Sequence, residues 1–137
     1  MIVADTGAII ALLDVGDRHH KVLREHFEAD PAEWLLPWAI LPEVDYLAAT
    51  RLGEGVAQAF LADLADGAFA IEWGHEMDLA RAQALDRKYR ALKLGLVDAV
   101  VMAVAERLGA EAIATLDLRD FSPVTLRGGP KLLPRDL

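Results

Sequence analysis

Four carboxylates in this chain stand where an apolar segment gives way to a turn or a helix start. Asp5 follows Ile2-Val3-Ala4, Glu43 follows Pro42, Asp98 opens the run Ala99–Ala105, and Asp117 follows Ala112-Ile113-Ala114-Thr115-Leu116. A carboxylate at the edge of a buried core must be solvated, paired or bound to a metal, because burying it bare is costly. If the four converge, they repel and raise one another's pKa. Hard divalent cations relieve that repulsion. Mg²⁺ favours carboxylate and water oxygens, and ions held this way suit hydrolysis of a phosphodiester. Thr6 and Thr115 each flank one of the acids or its strand and offer hydroxyls to a carboxylate or a bound water. This chemistry needs neither a Ser/His/Asp set nor a Cys/His set.

The elements that must position these groups are legible in outline. Ile2-Val3-Ala4 reads as a short strand ending at Asp5, with Thr6-Gly7 as a turn and Ala8–Leu13 as a helix. Asp17 is a candidate N-cap for a helix over Arg18–Ala29. Leu35-Leu36 reads as a strand, and Pro42 fits the first turn of a helix that carries Glu43 and ends near Gly53. Glu54–Ala65 is expected as an amphipathic helix with Val56, Phe60, Leu61 and Leu64 inward. Phe69–Trp73 alternates as a strand, and His75–Arg90 reads as a helix with Leu79, Ala82 and Leu85 inward. The segment from about Val97 to Leu108 is apolar almost all round, so it is expected to be buried against a sheet, with Gly109 as its stop. A strand to Leu116 follows, and Lys131-Leu132-Leu133 is a candidate last strand. Short strands alternating with helices predict a three-layer α/β/α sandwich with a mostly parallel central sheet, as a single domain over 1–137. In such sheets, sites form beyond the carboxyl ends of the strands. Asp5 and Asp117 follow strands and Glu43 and Asp98 sit at helix starts, so all four are predicted to share that rim.

Composition narrows the function. The chain has no cysteine, which excludes a disulfide framework, a thiolate metal site and a thiol nucleophile. No basic leader precedes the first apolar run, and no uncharged stretch is long enough to span a bilayer, so a soluble cytoplasmic protein is expected. The formal net charge is −8. Each phosphate contact needs a cation, so a nucleic-acid substrate would have to be held by bound metal or by a local basic patch. The dense basic run is Arg87, Lys88, Arg90 and Lys93, just upstream of Asp98. It reads either as a solvated helix end or as a contact to an RNA backbone.

The segments DTGAIIALLD, PEVDYL and LVDAVVMAVAERLG followed by IATLDLRDF resemble the PIN domain, specifically the VapC-type toxins of toxin–antitoxin pairs. The resemblance spans nearly the whole chain and is strongest in the last segment. It implies a Mg²⁺- or Mn²⁺-dependent endoribonuclease acting on structured RNA such as tRNA or rRNA and leaving a 5′-phosphate and a 3′-hydroxyl. It also implies a homodimer inhibited by a small antitoxin. Carried over by position, the catalytic acids are Asp5, Glu43, Asp98 and Asp117, with Asp5, Asp98 and Asp117 on the principal metal. Glu43 would help position a second ion or the attacking water, and Thr6 and Thr115 match the accessory hydroxyls.

Each acid alone has an ordinary reading: Asp5 and Asp117 as turn residues, Glu43 as a first-turn acid, Asp98 as an N-cap. Asp120 fits a turn better than the site, and Asp45 is peripheral. His19, His20 and His26 read as surface residues, and Trp34, Trp38 and Trp73 as core or interface. Two phosphate-handling rivals fit poorly. A receiver domain needs paired acids after its first strand and a late-strand Lys, whereas Thr6 follows Asp5 and the late strand leads into Thr115-Leu116-Asp117. A haloacid-type phosphatase needs an Asp where Gly7 stands. A PIN-domain nuclease of RNA processing outside toxin–antitoxin systems, or a metal-binding PIN-like scaffold that only binds, are the remaining alternatives.

Overall fold

The computed structural model describes residues 1–137. Short segments, apolar throughout in β1, β2 and β4 and mostly so in the other two, form five strands: β1 (Ile2–Ala4), β2 (Trp34–Pro37), β3 (Ala70–Glu72), β4 (Ala112–Ala114) and β5 (Lys131–Leu133). They make one sheet in the order β3-β2-β1-β4-β5, with every adjacent pair parallel. Parallel strands are covered on both faces, so they need apolar side chains in both directions. Ile2, Val3, Ala4, Ala112, Ile113 and Ala114 are accordingly all buried.

Seven helices flank the sheet: α1 (Thr6–Leu13), α2 (His20–Ala29), α3 (Leu41–Leu47), α4 (Glu54–Ala65), α5 (Glu76–Lys88), α6 (Gly95–Leu108) and the single turn α7 (Leu118–Phe121). Helix α6 is the centrepiece. Ala99 through Ala105 are buried without interruption because α6 packs on β1 and β2 and is covered by α5. Each buried Val or Met contributes on the order of 1.5–3 kcal/mol relative to exposure. Gly109 ends the helix at φ +59°, a left-handed conformation that glycine adopts without steric cost.

The strand order reverses between β1 and β4, which lie side by side while their chain connections leave in opposite directions. That switch point opens a crevice at the strands' carboxyl ends. Asp5 emerges there from β1, its backbone N–H donating to the Ala114 carbonyl of β4 at 2.8 Å.

Several local expectations are corrected. Thr6 and Gly7 already belong to α1 rather than to a separate turn. Helix α2 starts at His20, and Asp17 instead closes the turn before it by accepting the His19 N–H at 2.7 Å. Leu61 and Leu79 are exposed, so α4 and α5 bury narrower stripes than their sequences suggest. Trp34 is fully buried, Trp38 is partly buried and Trp73 is exposed. His20 and His26 are not plain surface residues. His20 Nδ1 lies 2.9 Å from the Ala11 carbonyl, and the His26 ring lies 6.0 Å from that of Trp34.

On the α5–α6 side, a polar network ties the helices to β3. Asp78 is buried and accepts from Arg107 at 2.7 and 3.1 Å, and also from the His75 backbone N–H at 2.9 Å. Arg107 reaches Glu72 at 2.6 Å. Removing Asp78 would leave a partly buried guanidinium half-paired and uncap α5. Asp78→Ala is therefore expected to lower unfolding stability by about 2–3 kcal/mol. Urea denaturation measures this, and a loss under about 0.5 kcal/mol, within the range of ordinary surface substitutions, would refute it.

Candidate active site

At the switch point, one hydroxyl organises two carboxyl-bearing segments. Thr115 Oγ1 donates to Asp5 Oδ2 at 2.9 Å and accepts from the Asp117 backbone N–H at 3.0 Å. Asp5 and Thr115 are both buried, so the bond is shielded from water. Asp117 then caps α7, its Oδ1 accepting the Asp120 N–H at 3.1 Å. Asp98 projects from the first turn of α6.

Asp98, Asp117 and Asp120 form a triangle in which each offers a carboxylate oxygen within 4.8 Å of the others. Asp120, read from sequence as a turn residue, joins Asp98 and Asp117 in this group, while Asp5 lies outside it, buried and bonded to Thr115. The cause is the short turn α7, which brings position 120 back beside 117 at a spacing of three residues. That Asp-x-x-Asp spacing at a helix start was the available signal. Glu43 is exposed in the first turn of α3, and its charge acts on Asp5. Thr6 Oγ1 is buried with no partner.

The electrostatics are those of crowded anions. Asp98 is pushed up to about 8, first by burial, then by its contact with Asp120 and by the charges of Asp5, Asp117 and Asp120. Asp5 is pushed up to about 6, first by burial, partly offset by the Thr115 hydroxyl, with Asp117 and Glu43 adding repulsion. No Lys or Arg forms an ion pair with Asp5, Asp98, Asp117 or Asp120. An oxygen-only triangle without a protein counter-charge fits a hard divalent cation. The orphaned Thr6 hydroxyl supplies one further oxygen next to Asp5.

The basic run ends α5 and continues through a short 3₁₀ turn at Arg90–Leu92 to Lys93. Arg87, Lys88, Arg90 and Lys93 are all exposed and none is in an ion pair. Lys88 lies over the Tyr89 ring at 5.4 Å, and the Tyr89 hydroxyl accepts the Thr125 N–H at 3.0 Å.

Known proteins carry the same arrangement of elements. The family model of the PIN domain matches residues 2–125. The chain belongs to the PIN-domain family. It is 30% identical over 128 residues to Ribonuclease VapC26 of Mycobacterium tuberculosis, covering 93% of this chain and 95% of the relative. Among solved PIN-domain structures, it is similar to the Mycobacterium tuberculosis VapC20, described as a Sarcin-Ricin loop cleaving toxin. That match has a TM-score of 0.80 at 22% identity and covers 93% of this chain and 98% of that one. It is also similar to a chain of the DNA-bound VapBC from Salmonella typhimurium. The TM-score there is 0.72 at 17% identity, covering 96% of this chain and 95% of that one. The predicted fold and family are thus borne out, with a sheet that is parallel throughout.

The raised pKa values dictate a pH dependence. Without cations, the folded PIN domain holds protons on Asp98 and Asp5 that the unfolded chain releases near its ordinary value of 3.8. Between that pH and about 8 the native state binds more protons, so the stability these groups contribute falls as pH rises and levels off above about 8. Asp98→Asn removes the larger shift. In metal-free buffer the variant should melt several degrees above the unsubstituted chain at pH 8 and with little difference at pH 4. An equal gap at both pH values, by calorimetry, would show that Asp98 carries no buried charge.

Proposed function

We propose that this PIN domain is a metal-dependent endoribonuclease, the toxin of a toxin–antitoxin pair. The observation that carries the reading is the unneutralised carboxylate triangle at the β1–β4 switch point, in a chain similar along its length to a ribonuclease. Asp98, Asp117 and Asp120 would hold the cation, Mg²⁺ or Mn²⁺, with Asp5 adding its charge to the same field. When bound, such an ion polarises a phosphoryl oxygen and acidifies water, which suits phosphodiester hydrolysis.

The remaining roles fall to the chain's own groups. Thr115 fixes the Asp5 carboxylate and the Asp117 backbone together, so the acids enter the reaction already oriented. Glu43, exposed and free of ion pairing, would help position a second ion or the attacking water. Arg87, Lys88, Arg90 and Lys93 supply the cations that an acidic protein needs to hold an RNA backbone. Structured RNA, tRNA or rRNA, is the substrate class this reading adopts.

A partner protein and self-association complete the proposal. An apolar recess of about 450 Å³, lined by Leu13, Phe27, Val56 and Phe60, lies among α1, α2 and α4 and suits a small antitoxin. A homodimer is the proposed assembly, and light scattering of the purified chain tests it. No helix is long and apolar enough to cross a membrane.

The deciding experiment is cleavage of purified RNA with sequencing of the new 5′ ends. The unsubstituted chain should cut in Mg²⁺ or Mn²⁺ and stop in EDTA. Asp98→Asn and Asp117→Asn should each lose at least about a hundredfold in rate while keeping the folded circular-dichroism spectrum. Undiminished cutting by either variant would sink the assignment. Metal binding by the unsubstituted chain with no cleavage of any RNA would favour the scaffold reading instead.

A further inference from the structure

A second recess adjoins the carboxylates on the β4–β5 side. It is a cavity of about 520 Å³ whose lining includes Arg18, His19, Val22, Thr115, Leu118 and Arg135. Thr115 is the residue whose hydroxyl holds Asp5, so the cavity and the acid site share a wall. Its volume lies within the range of small-ligand sites, about 300–1,000 Å³.

The two arginines differ. Arg135 is committed: it donates to Asp136 at 2.7 and 3.0 Å and to Ser122 Oγ at 3.1 Å. Arg18 has no acidic partner. Its Nε–H donates to His19 Nε2 at 3.2 Å, which leaves the terminal guanidinium nitrogens free and couples two planar groups. Val22 and Leu118 stand beside them, 37% and 40% exposed. A free cation, planar groups and an aliphatic floor match the separate parts of a nucleotide. Phosphate pairs with guanidinium, while an unstacked base lies on His and Arg planes and on apolar surface.

We infer that this cavity receives one unpaired nucleotide of the RNA strand beside the scissile phosphate, with its phosphate on Arg18 and its base against His19, Val22 and Leu118. The inference rests on the ribonuclease reading for the identity of the ligand. It adds Arg18 as a positioning residue and a single-stranded segment next to the cut. Contacts of this kind tolerate any base, because every base has a face to stack.

The test separates binding from cleavage. In the Asp98→Asn background with Mg²⁺, a fluorescent single-stranded RNA oligonucleotide is titrated against the full chain and followed by anisotropy. Arg18→Ala should weaken binding about five- to tenfold and lower the slope of log K against log salt by about 0.7. Arg18→Lys should restore the salt slope but only part of the affinity, because charge returns without the plane. Val22→Asp, at a half-exposed position, should weaken binding to a similar extent. Arg24→Ala removes the same charge from a residue paired with Glu28 at 2.6 Å and should change nothing. In otherwise unsubstituted, active enzyme, Arg18→Ala should raise KM with kcat preserved.

Equal binding by Arg18→Ala, an equal loss in Arg24→Ala, or no RNA binding at all overturns the inference. Arg18-dependent binding by a chain that never cleaves RNA overturns the nuclease reading and leaves this site standing.

Discussion

Mutual repulsion among carboxylates is the constraint on which the rest of this structure depends. Asp5, Asp98, Asp117 and Asp120 come from three separate parts of the chain, and none is balanced by a protein cation. Packing forces them together. Sheet strands β1 and β4 must pair to bury their apolar residues, and α6 must lie on β1 and β2 to bury its own. Each of those contacts delivers an acid to the same crevice. The hydrophobic energy of the core therefore holds an arrangement that its charges oppose.

The treatment of acids elsewhere in the molecule sharpens the contrast. Asp78, Glu72 and Glu106 are also partly or wholly buried, yet each is met by Arg107 or Arg81 at 2.6 or 2.7 Å. Glu106 is held below the usual carboxylate range, with its Arg81 and Arg127 contacts outweighing the opposing effect of burial. Asp98 is driven to about 8. The chain thus pairs the acids that brace α5 and α6 and leaves those at the switch point without a cationic partner. An unpaired, partly buried cluster is a poor device for stability and a suitable one for holding an external cation.

The net charge of −8 sets the terms for a polyanionic substrate. Long-range attraction is absent, so affinity has to come from short-range contacts at places where cations are free. The exposed run from Arg87 to Lys93 is one such place, and the guanidinium of Arg18 is another. Most other arginines are engaged by acids, among them Arg24, Arg81, Arg107 and Arg135.

The sequence by itself determined the elements and most of the acids. A short apolar run that ends at a turn residue suits a strand covered on both sides, and a long one apolar on every face suits an interior helix, so β1, β4 and α6 were legible from composition and spacing. Asp5, Asp98 and Asp117 were legible because each breaks such a run at its edge. Only the tertiary structure decided which oxygens meet. The one-turn helix α7 is too short to show periodicity, yet it folds Asp120 beside Asp117 and Asp98. The inward faces of α4 and α5 were likewise decided by neighbours, which leave Leu61 and Leu79 in solvent. Local pattern reports whether a side chain can be buried. Whether it is buried, and which charge it then faces, depends on residues remote in the chain that only packing brings near.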